Sequence, residues 1–314
     1  MTESMKALVK DEGRLSIRAV PVPAVLQDKD VLVRVEMAGL CRTDIYVAED
    51  VFKTSSPLVL GHEFSGFVEA AGDDAAGRFE VGSRVTINPL LHCGCCSSCR
   101  VGLTMACQDG DFLGIDKDGC FAGWIKVPVD AVHVIPDSMS LECAAFSEPV
   151  AASLAVFKAG IDTDEKGLIL GGNRFSRLLE SIMRFRGYEN LTVAAPEEVD
   201  DLEASSFDYV IETKVFPGLI DAMVRAVRPG GKIILKSRDF RPASFLPYTA
   251  IKKEPVLHIV NYGSFEEALE ILASGALGIS DLIEGFYDLD QYPSVFERSR
   301  SDESLKPLFA PWRS

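Results

Sequence analysis

Apolar and polar residues alternate in two different textures along the chain. Up to about residue 150 the apolar runs are short: "VLVRVEMAGL" at 31–40 and "SRVTINPLL" at 83–91 alternate or run apolar, and Gly, Pro and Asp cut them off. That pattern predicts a β-rich region. From about Phe157 strand-like and helix-like stretches take turns. "KGLILGG" predicts a strand, "RFSRLLESIMRFRG" a helix ending at Gly187, and "NLTVAA" and "FDYVIET" two further strands. "PGLIDAMVRAVRPGG" predicts a helix ended by Pro229 and its glycine pair, "KIILKS" and "VLHIV" strands, and "SFEEALEILASG" a closing helix. Such repetition argues a parallel, doubly wound sheet. The last stretch, with Pro293, Pro307 and Pro311, reads as irregular and is expected to pack back on the first region. The domains expected are therefore 1–155 together with 285–314, and 156–284.

Composition narrows the functional classes. The 314 residues suffice for two cores, and 47% apolar with 25% charged residues describe a soluble globular chain. A net charge of −15 offers no basic field to nucleic acid or anionic lipid. No apolar run reaches membrane-spanning length, and the opening "MTESMKALVKDEG" lacks the apolar centre of a signal peptide, so the expectation is a cytoplasmic protein with neither nucleic acid nor membrane as partner.

Cysteine placement adds chemistry. Five of the eight cysteines fall between 93 and 107, which is metal-site crowding rather than a disulfide framework. Cys93, Cys96, Cys99 and Cys107 give C-x2-C-x2-C-x7-C, four thiolates able to close a tetrahedron around zinc with no open position. Cys95 falls outside the spacing. A second set is scattered over "GLCRTD" (39–44), "GHEF" (61–64) and "FSEPVA" (146–151). Cys41, His62 and either Glu63 or Glu148 would give a catalytic zinc three protein ligands and one open position, with Asp44 orienting the His62 ring.

The order "GLCRTD … PLVLGHEFSG … VGSRV … CGxCxxCxxGxxxxC … GCFAGWIKVP … IPD … EPV" resembles the zinc-containing medium-chain alcohol dehydrogenase family, with the threonine and sorbitol dehydrogenase branches nearest. The resemblance covers nearly the whole chain. It implies a β-rich GroES-like zinc domain plus a trimmed Rossmann-like doubly wound parallel sheet, and two zinc ions per chain. Cys41, His62, Glu63 and Glu148 map onto catalytic-zinc positions, and Cys93, Cys96, Cys99 and Cys107 onto the structural zinc. Thr43 maps onto the hydroxyl that takes the substrate proton. Tyr46 stands where a relay histidine is common in that branch. Arg42 matches an arginine that reaches the cofactor pyrophosphate. By the same resemblance the substrate is a small secondary alcohol or polyol-like molecule and its ketone, the cofactor is NAD or NADP, and the chain forms a homodimer or homotetramer, pairing through "VLHIV".

The cofactor half departs from the family pattern. In "ILGGNRFSRLL" (169–179), Gly171 and Gly172 are followed by Asn173 and Ser176 where two further glycines of the phosphate-binding loop belong. Ala195 takes the place of the acid that bonds the adenosine ribose. Only eleven residues, 196–206, precede "FDYVIET", too few for the helix and edge strand of a full half. Arg174 and Arg177, at the start of the helix, are the candidates to hold phosphate in place of glycine-loop contacts. A zinc-dependent non-redox enzyme, a lyase or isomerase that has lost its nicotinamide, is the alternative. His92, His133, His258 and Trp124 read as structural.

Overall fold

The run Asp30–Gly39 forms the middle of a seven-stranded sheet. Its order is Val132–Val134, Arg84–Ile87, Glu63–Ala71, Asp30–Gly39, Lys306–Phe309 and Ile283–Tyr287, with Trp124–Pro128 also pairing to Asp30–Gly39. A three-stranded sheet, Arg14–Pro21, Ser4–Asp11 and Leu58–Val59, accompanies it. The computed structural model describes residues 3–23, 27–51, 53–301 and 304–312. Leu8, Val33, Val35, Ile45, Phe121 and Phe309 are among the fully buried side chains of this core, with the Phe121 and Phe309 rings edge to face at 5.0 Å. Burying each such side chain contributes roughly 1.5–3 kcal/mol.

The C-terminal stretch differs from the expectation of irregular chain. It holds the strand Lys306–Phe309 and the helix Tyr292–Ser301. Leu308 and Phe309 are wholly buried, and that apolar burial outweighs the proline signal. Pro293 lies in the first turn of its helix, where a missing N–H costs nothing. "SRVTINPLL" also divides. Arg84–Ile87 stays in the large sheet, whereas Leu90–Leu91, beyond Pro89, pairs with Asp111–Phe112.

The second unit is a five-stranded, wholly parallel sheet in the order Leu191–Ala194, Gly167–Leu170, Phe207–Glu212, Val227–Leu235 and Val256–Ile259. This is the doubly wound order with the outermost strand of the first half missing. Only a short 3-10 turn, Pro196–Asp201, lies between Ala194 and Phe207. The helix Arg174–Phe185 buries Leu178, Leu179, Ile182 and Met183 along one face, the spacing its sequence pattern predicts. The next helix, Leu219–Ala226, stops before Pro229, earlier than expected. Val227 already pairs with Phe207 as the start of the following strand, and Lys253 Nζ donates to the carbonyls of Val224, Arg225 and Val227 at 2.7–2.8 Å.

By contacts the chain divides into residues 1–148 with 269–314, and 149–268. Both divides fall inside helices, Ser147–Leu154 and Phe265–Ala273, where the sequence pattern had suggested 155/156 and 284/285. No helix among the described residues is long and apolar enough to cross a membrane.

Candidate active site

The cysteine loop is assembled as its spacing suggests. The sulfur atoms of Cys93, Cys96, Cys99 and Cys107 all lie within 4.8 Å of one another. Resolved edges are 4.0 Å for Cys93–Cys99, 4.0 Å for Cys96–Cys107 and 3.5 Å for Cys93–Cys107. A regular tetrahedron with zinc–sulfur bonds of about 2.3 Å has sulfur–sulfur edges of about 3.8 Å, so the donor set fits zinc. The Cys96 N–H donates to Cys93 Sγ, which favours the Cys93 thiolate, and the Cys93 N–H donates to Cys107 Sγ, both at 3.4 Å. Cys95 is exposed and outside the group.

The scattered set also converges. Cys41 directly precedes the helix Arg42–Ala48, and His62 directly precedes the strand Glu63–Ala71. One donor atom each from Cys41, His62 and Glu63 lies within 4.8 Å of the others. Gly61 makes the turn into His62 at φ +98°, and a Cβ there would stand 2.6 Å from the Phe121 ring, so only glycine fits.

Asp44 organises the group. It is fully buried; its Oδ2 accepts the Cys41 N–H at 2.8 Å and its Oδ1 faces His62 Nδ1 at 3.2 Å. A proton on Nδ1 satisfies that contact and leaves the Nε2 lone pair towards Cys41 and Glu63. His62 Nε2 is buried without a hydrogen-bond partner among the described residues, an orphan that a metal ion would satisfy. Burial disfavours charge on this imidazole, yet Asp44 and Cys41 outweigh it and hold the pKa well above the ordinary value. The surroundings thus favour a cation at Nε2. Thr43 Oγ1 lies 3.7 Å from Cys41 Sγ and is buried, while the Arg42 guanidinium sits over the Tyr46 ring at 5.8 Å.

The sequence left Glu63 and Glu148 as alternatives. Glu63 joins Cys41 and His62; Glu148, also buried, is outside that group although near enough to act on Glu63 electrostatically. Burial pushes the Glu63 carboxyl up, Lys306 opposes this, and Glu148 adds to it. Lys306 Nζ is bonded to Glu63 Oε2, an ion pair buried on both sides. Sequence reading missed Lys306; a lysine inside the apolar "LKPLFA" was the signal available. Trp124 packs edge to face on Trp312 at 4.4 Å, and His133 and His258 sit half-buried on strands.

Comparison with known proteins places this geometry. The alcohol dehydrogenase GroES-like domain matches residues 27–137. Sorbitol dehydrogenase of Bacillus subtilis is 28% identical, covering 99% of this chain and 98% of its own. D-altritol 5-dehydrogenase of Agrobacterium fabrum is 30% identical, covering 96% and 97%. The chain belongs to the zinc-containing medium-chain alcohol dehydrogenase family. A solved zinc-binding dehydrogenase of Sinorhizobium meliloti, bound to NADP, superimposes with a TM-score of 0.90 at 27% identity over 98% of this chain and 100% of that one. As a family member the chain is a zinc-dependent, alcohol dehydrogenase-like oxidoreductase, and the non-redox alternative draws no support from these relatives.

Within this dehydrogenase the altered loop is well ordered by its own side chains. Asn173 caps the helix Arg174–Phe185: its Oδ1 accepts the Ser176 N–H at 2.9 Å, and Ser176 Oγ lies 3.2 Å from the Asn173 N–H. Asn173 Nδ2 donates to the Thr213 carbonyl at 3.0 Å, and the hydroxyls of Ser176 and Thr213 meet at 2.7 Å. The side chains that replace two glycines are thus turned inward, and both are buried. Gly172 keeps φ +66°, the left-handed conformation that lets the loop turn beneath a ligand. Arg174 opens that helix, with Arg177 one turn on.

Proposed function

We propose that this dehydrogenase interconverts a secondary alcohol of a polyol-like substrate and the corresponding ketone, with zinc at Cys41, His62 and Glu63 and NAD(P) on the parallel-sheet unit. The observation that carries the reading is the buried, unpartnered His62 Nε2 with the Cys41 sulfur and a Glu63 oxygen within 4.8 Å. Bound there, zinc supplies a Lewis acid for the alcohol oxygen and the nicotinamide supplies the hydride acceptor.

The chain's own residues do the rest. Asp44 keeps the His62 proton on Nδ1 and pins Cys41 through its backbone. Thr43 Oγ1 accepts the alcohol proton as it releases its own, and Tyr46, three residues further along the same helix, passes one proton on to solvent. Lys306 neutralises Glu63 so that this carboxylate can sit buried beside the metal position. Arg42, Arg174, Gly171, Gly172, Asn173 and Ser176 are the residues we assign to the cofactor, and Cys93, Cys96, Cys99 and Cys107 hold the second zinc. Sorbitol and altritol, named for two relatives, give the substrate class.

A reducing compartment suits four clustered thiolates, so we place the protein in the cytoplasm. The edge strand Val256–Ile259 exposes Val256, Leu257 and Ile259 at 49, 52 and 79%, and there we place the contact of a homodimer or homotetramer. The test is a panel of polyols with NAD⁺ or NADP⁺, following reduced nicotinamide. Turnover of at least one polyol that Cys41→Ser abolishes is expected; turnover that survives Cys41→Ser overturns the assignment.

A further inference from the structure

The strand Leu191–Ala194 ends beside the cofactor loop, and the residue that follows it carries no acid. A Cβ built on Gly172 would stand 2.9 Å from Ala195 Cβ, so Ala195 lies directly against the turn of the loop. In a doubly wound domain this strand end is where a carboxylate takes the ribose hydroxyls of the adenosine half. Here a methyl group occupies it.

A carboxylate nevertheless reaches the backbone of Ala195 by another route. Glu198, three residues on in the turn Pro196–Asp201, folds back so that its Oε2 accepts the Ala195 N–H at 2.7 Å. That bond tethers one oxygen to the backbone of the residue lacking an acid. Glu198 is exposed, and the bond to Ala195 uses only one of its two carboxylate oxygens. Pro196 at the start of the turn presets the backbone that brings the side chain round. No arginine or lysine lies within the turn, and Arg225, which reaches it, is committed to Asp200 at 3.2 Å and to the Val199 carbonyl.

We infer that Glu198 is the ribose-recognising residue of this domain and that it makes the chain select NAD over NADP. The inference rests on the dinucleotide reading under Proposed function. An ionised carboxylate accepts from both hydroxyls of a vicinal diol, whereas a 2′-phosphate removes a donor and sets like charge against it. The relation is distinct from the usual one: the acid comes from the turn and is held by a backbone N–H, not from the strand end itself.

The test is fluorescence titration of the purified chain with NADH and NADPH, alongside thermal melting. Wild type is expected to bind NADH about tenfold or more tightly than NADPH, a difference of about 1.4 kcal/mol. Glu198→Gln keeps an oxygen for the Ala195 N–H, so its melting temperature should hold while NADH affinity falls about fivefold or more and the preference collapses. Adding Ala195→Asp to that variant should restore the preference for NADH, because the acid returns to the strand end. An unchanged NADH to NADPH ratio in Glu198→Gln, or a wild type that prefers NADPH, overturns the inference while leaving the dehydrogenase reading intact. Failure of wild type to bind either cofactor overturns the dinucleotide reading itself, and Glu198's role with it. Should Glu198→Gln melt early, Glu198→Asp gives the comparison: the charge stays but is drawn back, and a weakened NADH preference is again expected.

Discussion

Asp44→Asn removes one charge from a position where two acceptors are needed. In the native protein Oδ2 takes the Cys41 N–H at 2.8 Å and Oδ1 takes the His62 Nδ1 proton across 3.2 Å. Asparagine has one carbonyl oxygen. If it serves Cys41, its amide hydrogens face Nδ1, and the imidazole proton must move to Nε2, the atom needed for zinc. If it serves His62, the Cys41 N–H faces a donor and the sulfur is no longer held. Either way one charge-assisted hydrogen bond is lost in a fully buried place, a cost of about 1.5–3 kcal/mol. At about 1.4 kcal/mol per factor of ten, zinc affinity at this site should fall about 10- to 100-fold. Competition with a chromophoric chelator measures it, and the four-thiolate site in the same molecule serves as the internal control. Retention of catalytic-site affinity within about twofold of wild type would refute the claim that Asp44 fixes the His62 tautomer.

In the metal-free protein Lys306→Met should leave Glu63 buried and uncompensated, lowering stability by about 3–5 kcal/mol in thermal or denaturant unfolding, and Glu63→Gln in the same chain should recover much of the loss. An unchanged melting temperature in Lys306→Met would mean the pair is not formed. Thiol labelling with mass spectrometry should find Cys95 modified in the zinc-loaded protein and Cys93 only after chelation. Backbone N–H groups of Cys95 and Cys96, with the Cys107 thiol, lower the metal-free Cys93 thiol to about 6, so its labelling should rise with pH through that value and level off above it. Burial pushes Cys143 up to about 11, so it should label slowly at neutral pH.

How much of this could be read from residues alone depends on the distance between partners. The four-cysteine cluster was legible because all four residues lie on one short segment and their spacing states the geometry. Cys41, His62 and Glu63 were legible as candidates but not as a set: which of Glu63 and Glu148 lies beside Cys41 and His62 turned on a tertiary contact. Lys306, 243 positions from Glu63, has no local signal beyond its apolar neighbours. The strand that carries it was hidden by prolines whose positions, a helix's first turn and a strand beside a sheet centre, are harmless only in the folded arrangement. Asn173 and Ser176 looked like two losses from a glycine loop. Their shared partner, Thr213, is 37 residues from Ser176, and only with it in place do the substitutions become a closed network. Ala195 reads from sequence as a missing acid; that Glu198 folds back onto it depends on the turn geometry.

The central claim is that Cys41, His62 and Glu63 hold the zinc on which hydride transfer depends. Stepwise chelation tests it directly, with zinc per chain and polyol-dependent nicotinamide reduction measured in the same samples. The account predicts that the rate falls to nothing as the catalytic zinc leaves and the four-thiolate zinc remains, and that it returns when zinc is restored. A rate that persists with only the four-thiolate site filled would contradict it.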